Sequence, residues 1–500
     1  MFVPKRSTRG CLTCKRRRKK CDEQKPHCRR CIQGDFICLG YSSTQGYDGE
    51  SSTKTNVGFL THSSPSTVED AKSPSTATLD GLIALPERTD EVDQSPGVRA
   101  SVQSFGTAAV IPRDISSDPV MLEDATSFII SQFVWFSQKL LFKTPSTPVE
   151  QGLLWRIEYS EFTRWSMYLS ARVLKDMTNG INSQKYVGWI FRFGQQMLEP
   201  STATEPASSM EGRLGGLHDV AYLGFIVSGT SVGYSLFRQC TPTFLRLAKL
   251  SPEIWPSDFA ISISKATQSR YEIIKFIVND TIIAMILGIA PVIHYDTTPG
   301  CDGRRPSSVL EMVYGIPSEI LCILAEINAQ RASRMMGERA SNNDNQCDIE
   351  KILGSWTPVV GNTGEPTKDI ARVAVQEAWR QAALIYFFMG MKEVNSADRR
   401  VQAAVRQVVQ LGNTIEAGSP LERHLLIPCA GVAACQEKHR ASLRSKLTNN
   451  SFLREITMVL RISEFVVVLD HLWHGAGKGG SPVTWEDYVQ SRCATIPISY

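Results

Sequence analysis

Long apolar runs are nearly absent from this chain of 500 residues. The most apolar stretch, Thr281–Ile293 (TIIAMILGIAPVI), is too short to cross a bilayer and contains Pro291. With Asn279 and Asp280 just before it, it reads as a buried core helix. The opening MFVPKRSTRG has no apolar core of the kind a secretory signal needs. Catalytic signatures are equally scarce. There is no G-x-S-x-G, and no cysteine has an evident histidine partner in sequence. Gly475–Gly480 (GAGKGG) lacks the order G-x4-G-K-[ST] and follows a helical pattern, so it reads as a glycine-rich turn before Pro482. His471 and His474 in HLWHG have a spacing a metal site can use, but no acidic third ligand stands at a recognisable offset. Strand-type alternation is inconspicuous, and no heptad run supplies a coiled coil.

What is present concentrates at one end. Six of the 13 cysteines fall within the first forty residues. Cys11, Cys14 and Cys21 are spaced C-x2-C-x6-C, and Cys28, Cys31 and Cys38 repeat that spacing 17 residues later. Zinc takes four ligands in a tetrahedron, and structural sites are closed by cysteine sulfur. Two separate zincs would need about eight thiolates. Six suffice if two zincs share two bridging sulfurs. A disulfide framework is the competing reading. Against it stand the absent secretory core, the few apolar residues in the block, and seven scattered cysteines elsewhere, an odd number.

The two halves differ in charge. The first carries Lys15-Arg16-Arg17-Arg18-Lys19-Lys20 between its cysteines; the second carries the nearly neutral Ile32-Gln33-Gly34-Asp35-Phe36-Ile37. Six consecutive cations on a metal-pinned turn of helix form an electrostatic footprint for nucleic-acid phosphate, and arginine can also grip guanine O6 and N7 in the major groove. The run can serve nuclear import as well. Residues 1–42 hold twelve Lys/Arg against three Asp/Glu, a balance of +9 in a chain whose total is only +4. So small a block has no core of its own and is expected to unfold without metal.

With Pro26 in the middle loop, C-x2-C-x6-C-x6-C-x2-C-x6-C resembles the fungal binuclear zinc-cluster family of transcription factors over residues 11–38, and more loosely to Tyr41. The resemblance implies two zinc ions per chain. Cys11 and Cys28 are the implied bridging ligands, Cys14 and Cys21 complete one zinc, and Cys31 and Cys38 the other. It also implies a short helix opened by each C-x2-C pair, the first reading a CGG-type triplet in double-stranded DNA. By position Arg17 and Arg18 are the base-reading cations, and Lys15 and Lys20 fall among the phosphate contacts; lysine is frequent at the reading positions in the family. A nuclear regulator of RNA polymerase II transcription follows, with a second copy of the chain and transcriptional co-regulators as further candidate partners and no membrane. The competing classes are a zinc-stabilised module whose basic run contacts acidic protein or RNA, and an enzyme carried on a zinc module.

Residues 43–118 are rich in Ser, Thr, Gly and Pro and carry eleven acidic against five basic residues. Such a segment cannot bury enough surface to offset its ordering entropy and reads as a disordered linker. Ser64, Ser73 and Ser95 each precede proline, a pattern proline-directed kinases use and one also common in any such tract. From Pro119 to Tyr500 the texture is helical. The spacing predicts helices over Met121–Lys143, Ser160–Met177, Leu217–Phe237, Ser262–Ile289, Pro317–Arg331, Ile370–Met391, Ala397–Ile415 and Phe452–Leu472. Breaks are expected at Pro145–Pro148, Pro252–Pro256 and Gly361–Pro366. Trp135, Phe136, Phe142 and Phe387-Phe388-Met389 fit core packing better than a ligand cavity. The expected architecture is a small metal-stabilised binuclear zinc cluster (1–42), the linker (43–118), and one large all-α domain of a dozen or so helices (119–500). The family commonly places a fungal-specific transcription factor domain in that C-terminal position, which implies a regulatory role.

Overall fold

Every residue from Glu272 to Leu287 is buried in the helix Tyr271–Leu287, around which the larger part of the chain is arranged. A helix buried on every side has no solvent face, so neighbours must cover its apolar side chains and pair its polar ones, Glu272, Lys275 and Asp280 among them. Among the covering helices are Ala207–Leu223, Thr241–Lys249 and Ser318–Met335. In the computed structural model the described residues are 11, 14, 19–24 and 28–33, then 119–143, 149–198, 205–255, 260–266, 268–297, 309–337, 344–359, 365–425, 427–448, 456–457 and 460–498. The chain divides into two units, Met1–Ala71 and Lys72–Tyr500.

A buried helix must also satisfy its last carbonyls, which have no partner within the helix. Here a distant helix, Trp485–Thr495, does this: Tyr488 Oη donates to the carbonyl of Ile286, and Arg492 Nε donates to that of Leu287 at 2.8 Å. The chain leaves through Gly288 at φ 65°, where a Cβ would meet Val489 Cγ2 at 2.5 Å, so glycine is required twice over. Asp280 then draws the exit segment back, accepting from the backbone N–H of Val292 and Ile293 at 2.8 and 3.2 Å and from Tyr295 Oη at 2.8 Å.

The larger unit is helical, as expected, with two pairs of two-residue strands: Ile261–Ser262 parallel to Tyr295–Asp296, and Ile456–Thr457 antiparallel to Leu460–Arg461. Helices at Pro119–Leu140, Glu161–Thr178, Ser318–Met335 and Arg399–Thr414 lie close to their expected places. Pro366–Tyr386 is helical too, but Phe387–Met391 winds as a π turn.

Three expected helices are corrected. Leu217–Phe237 is interrupted: Ala207–Leu223 runs into a π turn over Gly224–Ser228, then Gly229 at φ 104° separates it from Thr230–Gln239. Ser262–Ile289 is a strand end, a four-residue helix Ile263–Ala266 and then Tyr271–Leu287. Within Phe452–Leu472 the described residues Ile456–Thr457 and Leu460–Arg461 form the strand pair, and the helix spans Ile462–His474. Shorter helices such as Val149–Tyr159, Val187–Leu198, Glu437–Thr448 and Trp485–Thr495 were not separately expected.

Phe136, Phe142, Phe387, Phe388 and Met389 are core residues, whereas Trp135 is 44% exposed. The expected break at Pro145–Pro148, most of Gly361–Pro366 and Ser64, Ser73 and Ser95 lie outside the described residues. No described helix is long and apolar enough to cross a membrane.

Candidate metal centre

Cys11, Cys14, Cys21 and Cys28 are buried, and their sulfurs lie within 4.8 Å of one another. The Cys28 sulfur is 3.6 Å from that of Cys11 and 3.6 Å from that of Cys14. A disulfide needs about 2.05 Å, so these pairs are not bonded. A tetrahedron of sulfurs about 2.3 Å from a zinc has edges of about 3.8 Å, and the observed separations fit that figure. The donor set therefore suits a structural zinc. Among the described residues it is the only group of three or more His, Cys, Asp or Glu side chains that could hold a metal.

The local chain prepares the sulfurs for negative charge. The backbone N–H of Cys11 and of Glu23 each point at the Cys21 sulfur from 3.3 Å, and that of Cys14 points at the Cys11 sulfur from 3.3 Å. Such donors favour thiolate over thiol, the form a metal binds. Glu23 takes φ 60°, a left-handed turn that redirects the chain straight after Cys21.

A second set of contacts joins the two cysteine triplets. Asp22 Oδ1 accepts from the backbone N–H of Gln24 and of Arg29, each at 3.2 Å, and Oδ2 accepts from that of Arg30 at 2.7 Å. Arg29 and Arg30 open the short helix Arg29–Gln33, so the carboxylate caps it from the other triplet. Desolvation opposes ionisation of Asp22, yet the N–H groups of Gln24, Arg30 and Arg29 hold its carboxyl below the ordinary value. In return, Arg30 Nη1 donates to the Lys20 carbonyl at 3.1 Å. Neither Asp22 nor Arg30 stood out in the sequence, where an acid beside a cysteine and one more arginine in a basic block look like solvated surface.

Of the expected DNA-contacting residues, Lys20 is described and exposed, while Lys15, Arg17 and Arg18 lie outside the described residues. So does Cys38; Cys31 lies in the helix Arg29–Gln33, but its side chain is outside the description. In the larger unit His471 and His474 are exposed at a helix end, where Nδ1 of His474 lies 2.7 Å from the Asp470 carbonyl, and among the described residues no acid completes a site with them. Lys478–Gly480 is a 3-10 turn with Gly479 and Gly480 at positive φ, in keeping with a glycine-rich turn.

Four sulfurs arranged for zinc beside a run of six cations define a metal-stabilised, nucleic-acid-binding class of protein. Residues 9–47 match the family described as the fungal Zn(2)-Cys(6) binuclear cluster domain, and residues 226–497 match the fungal specific transcription factor domain. The second match covers more than half of the chain, and the chain belongs to that family.

Among curated relatives, the aspercryptin biosynthesis cluster-specific transcription regulator of Emericella nidulans is 52% identical over 44 residues, 9% of this chain and 7% of that protein. White-opaque regulator 2 of Candida albicans is 51% identical over 40 residues, 8% of this chain and 9% of that one. Pestheic acid cluster transcriptional regulator 3 of Pestalotiopsis fici is 55% identical over 41 residues, 8% and 7% of the respective chains. The chain thus covers less than a tenth of the length of each of these relatives. No solved structure matches it. Both families are described as those of fungal transcription factors or their zinc cluster, and the relatives are named as transcription regulators; the cluster family is one that binds zinc and DNA.

Proposed function

We propose that this chain is a nuclear, zinc-dependent, sequence-specific regulator of RNA polymerase II transcription that reads a CGG-type triplet in the major groove. The observation that carries the reading is the Cys28 sulfur, which belongs to the second triplet yet sits 3.6 Å from two sulfurs of the first. A ligand from one half inside the tetrahedron of the other is what sharing requires. The spacing of the second triplet repeats that of the first, and the reading gives Cys11 the corresponding role for the zinc assigned to Cys31 and Cys38. Two zincs with Cys11 and Cys28 as bridges account for all six thiolates.

Arg17 and Arg18 read guanine through paired donors, and Lys15 and Lys20 bind phosphate. Residues 1–42 form the DNA-binding domain, 43–118 a linker, and 119–500 a regulatory body that takes co-regulators or a second copy of the chain.

Selection of bound sequences from a random duplex pool by the full-length chain, with zinc counted per chain, tests this reading. Enrichment of CGG triplets at two zincs per chain is expected. Binding to random duplex, RNA or acidic protein without base preference would replace it with the interaction-module reading. One triplet or two at fixed spacing reports a monomer or a dimer on DNA.

A further inference from the structure

We propose that Asp22 and Arg30 form a clasp between the two cysteine triplets that positions the basic run for DNA without itself contacting DNA; this rests on the DNA-reading function proposed above. The clasp is visible as three bonds between residues 20–22 and residues 29–30. Two run from the helix N–H groups of Arg29 and Arg30 to the Asp22 carboxylate, at 3.2 and 2.7 Å, and one from Arg30 Nη1 to the Lys20 carbonyl, at 3.1 Å.

Lys20 is the last cation of the run, and Cys21 and Cys28 are metal-site cysteines on either side of the clasp. Metal ligation fixes sulfur atoms, and the Lys19 N–H donates to the Cys14 carbonyl at 3.0 Å, which leaves the Lys20 peptide to be oriented. The guanidinium orients it at the end of the run, because it holds the backbone carbonyl and not a side chain. The carboxylate in turn fixes where Arg30 starts, since it binds the backbone N–H of that same residue. The order of action is therefore carboxylate, helix, guanidinium, basic run.

The charge signs support a positioning role. Asp22 is an anion two residues after a run of six cations, where an unpaired carboxylate would weaken phosphate binding. Accepting three N–H groups gives it a structural use that offsets this. Arg30 is exposed, so a direct phosphate contact is the competing role, and the two make different predictions.

The test uses the full-length chain, its selected duplex and a scrambled duplex, at several salt concentrations. Asp22→Ala is expected to lower the ratio of specific to scrambled affinity about tenfold, with zinc content and salt dependence unchanged. Asp22→Asn has a single acceptor oxygen; turned towards the Arg30 N–H it keeps that bond and gives up those from Gln24 and Arg29, so it is expected to recover part of that ratio. Arg30→Gln keeps a donor for the Lys20 carbonyl without the charge, and is expected to behave like the parent, whereas Arg30→Ala should resemble Asp22→Ala. Equal loss on both duplexes in the two Arg30 variants, with the slope of log affinity against log salt reduced by about 0.9, would make Arg30 a phosphate contact and overturn the clasp. Loss of zinc in both Asp22 variants would overturn it too, by assigning the carboxylate to the metal loop alone. If the parent chain itself shows no preference between the duplexes, the DNA-reading function fails, a result separate from any of these.

Discussion

Arg156 and Glu272, 116 residues apart, meet inside the helical body with guanidinium Nη2 2.8 Å from carboxylate Oε1. Both are buried, and they belong to a balanced set. Arg156 Nη2 also lies 3.5 Å from Asp219 Oδ2, Lys275 Nζ lies 2.9 Å from Asp219 Oδ1, Ser166 Oγ donates to Asp219 Oδ2 at 2.8 Å, and His218 Nδ1 is 3.0 Å from Glu272 Oε2. Four helices, Val149–Tyr159, Glu161–Thr178, Ala207–Leu223 and Tyr271–Leu287, are thereby held in one register. Two cations answer two carboxylates, so the set can sit in the core with Phe237 and Phe276 packed about the His218 ring.

Breaking such a set costs more than forming it gains, because the orphaned charge stays buried. Arg156→Met is expected to destabilise the helical unit by about 3–5 kcal/mol. Adding Glu272→Gln to it should recover part of that loss, since the uncompensated carboxylate is gone. Urea denaturation followed by far-ultraviolet circular dichroism reads both. Additive losses in the double variant would show that the two residues act independently.

His218 makes the same region sensitive to acid. Burial lowers its pKa, Glu272 works the other way, and Lys275 and Arg156 add to the lowering. Unfolded histidine takes up its proton near pH 6.5, while the folded one stays neutral, so the unfolded state binds more protons below that pH. Stability is therefore lost as pH falls from about 6.5 towards the folded pKa, by at most about 1.4 kcal/mol per pH unit. Asp280 slopes the opposite way, because burial pushes its carboxyl up to about 6 against the donors Val292, Tyr295 and Ile293. The informative quantity is thus the melting temperature of His218→Gln minus that of the parent at each pH. It should rise in favour of the variant between pH 7 and 5; a constant difference would exclude the role.

How far the sequence foretold all this differs from feature to feature. Cysteine spacing is a local pattern, and so is the apolar run Thr281–Ile293, legible as a buried helix as far as Leu287; its last part was misread, because Gly288 turns the chain out of the helix. The interruption at Gly229 was not legible. Apolar residues continue through Leu217–Phe237 at helical spacing, and the turn there is held by Glu464, 234 residues from Thr230. Asp22 was passed over for a related reason: its partners are backbone N–H groups at Arg29 and Arg30, which no side-chain pattern advertises.

Gly229 gives that long-range cause a sharp test. Its φ is 104°, and a Cβ would stand 2.5 Å from Glu464 Oε1. The other oxygen of that carboxylate accepts the N–H of Thr230 at 2.9 Å, at the start of the helix Thr230–Gln239. Gly229→Ala therefore strains the backbone, by about 1–3 kcal/mol, and displaces the capping carboxylate, worth about 1 kcal/mol more. Glu464→Ala removes only the cap and should cost the smaller amount. A thermal melt in which the two variants are equal would show that the backbone angle is unstrained.

On the DNA side the cations should separate by kind. Arg18→Ala is expected to relax preference within the CGG triplet, with a loss of about 1–3 kcal/mol confined to the guanine it reads. Lys20→Ala should weaken every duplex alike and flatten the salt dependence by about one unit of charge. Titration against the triplet and its single-base variants at two salt concentrations distinguishes them. A base-selective effect at Lys20 would reverse the assignment of roles.

Shared sulfur makes a prediction about metal count that terminal sulfur does not. The Cys28 sulfur lies 3.6 Å from two sulfurs of the first triplet, so in the two-zinc arrangement it contributes to both ions, whereas Cys14 serves one. Cys28→Ser should then lose both zincs and, because so small a unit has only metal to hold it, unfold residues 1–42. Cys14→Ser leaves Cys11, Cys28, Cys31 and Cys38 able to keep the second ion, at about one zinc per chain. Cys11→Ser should behave like Cys28→Ser, which separates a bridging role from simple position within a triplet. Zinc released on thiol oxidation and counted colorimetrically reads all three variants. Equal zinc in Cys14→Ser and Cys28→Ser would be incompatible with Cys28 as a bridge, whatever DNA the chain goes on to bind.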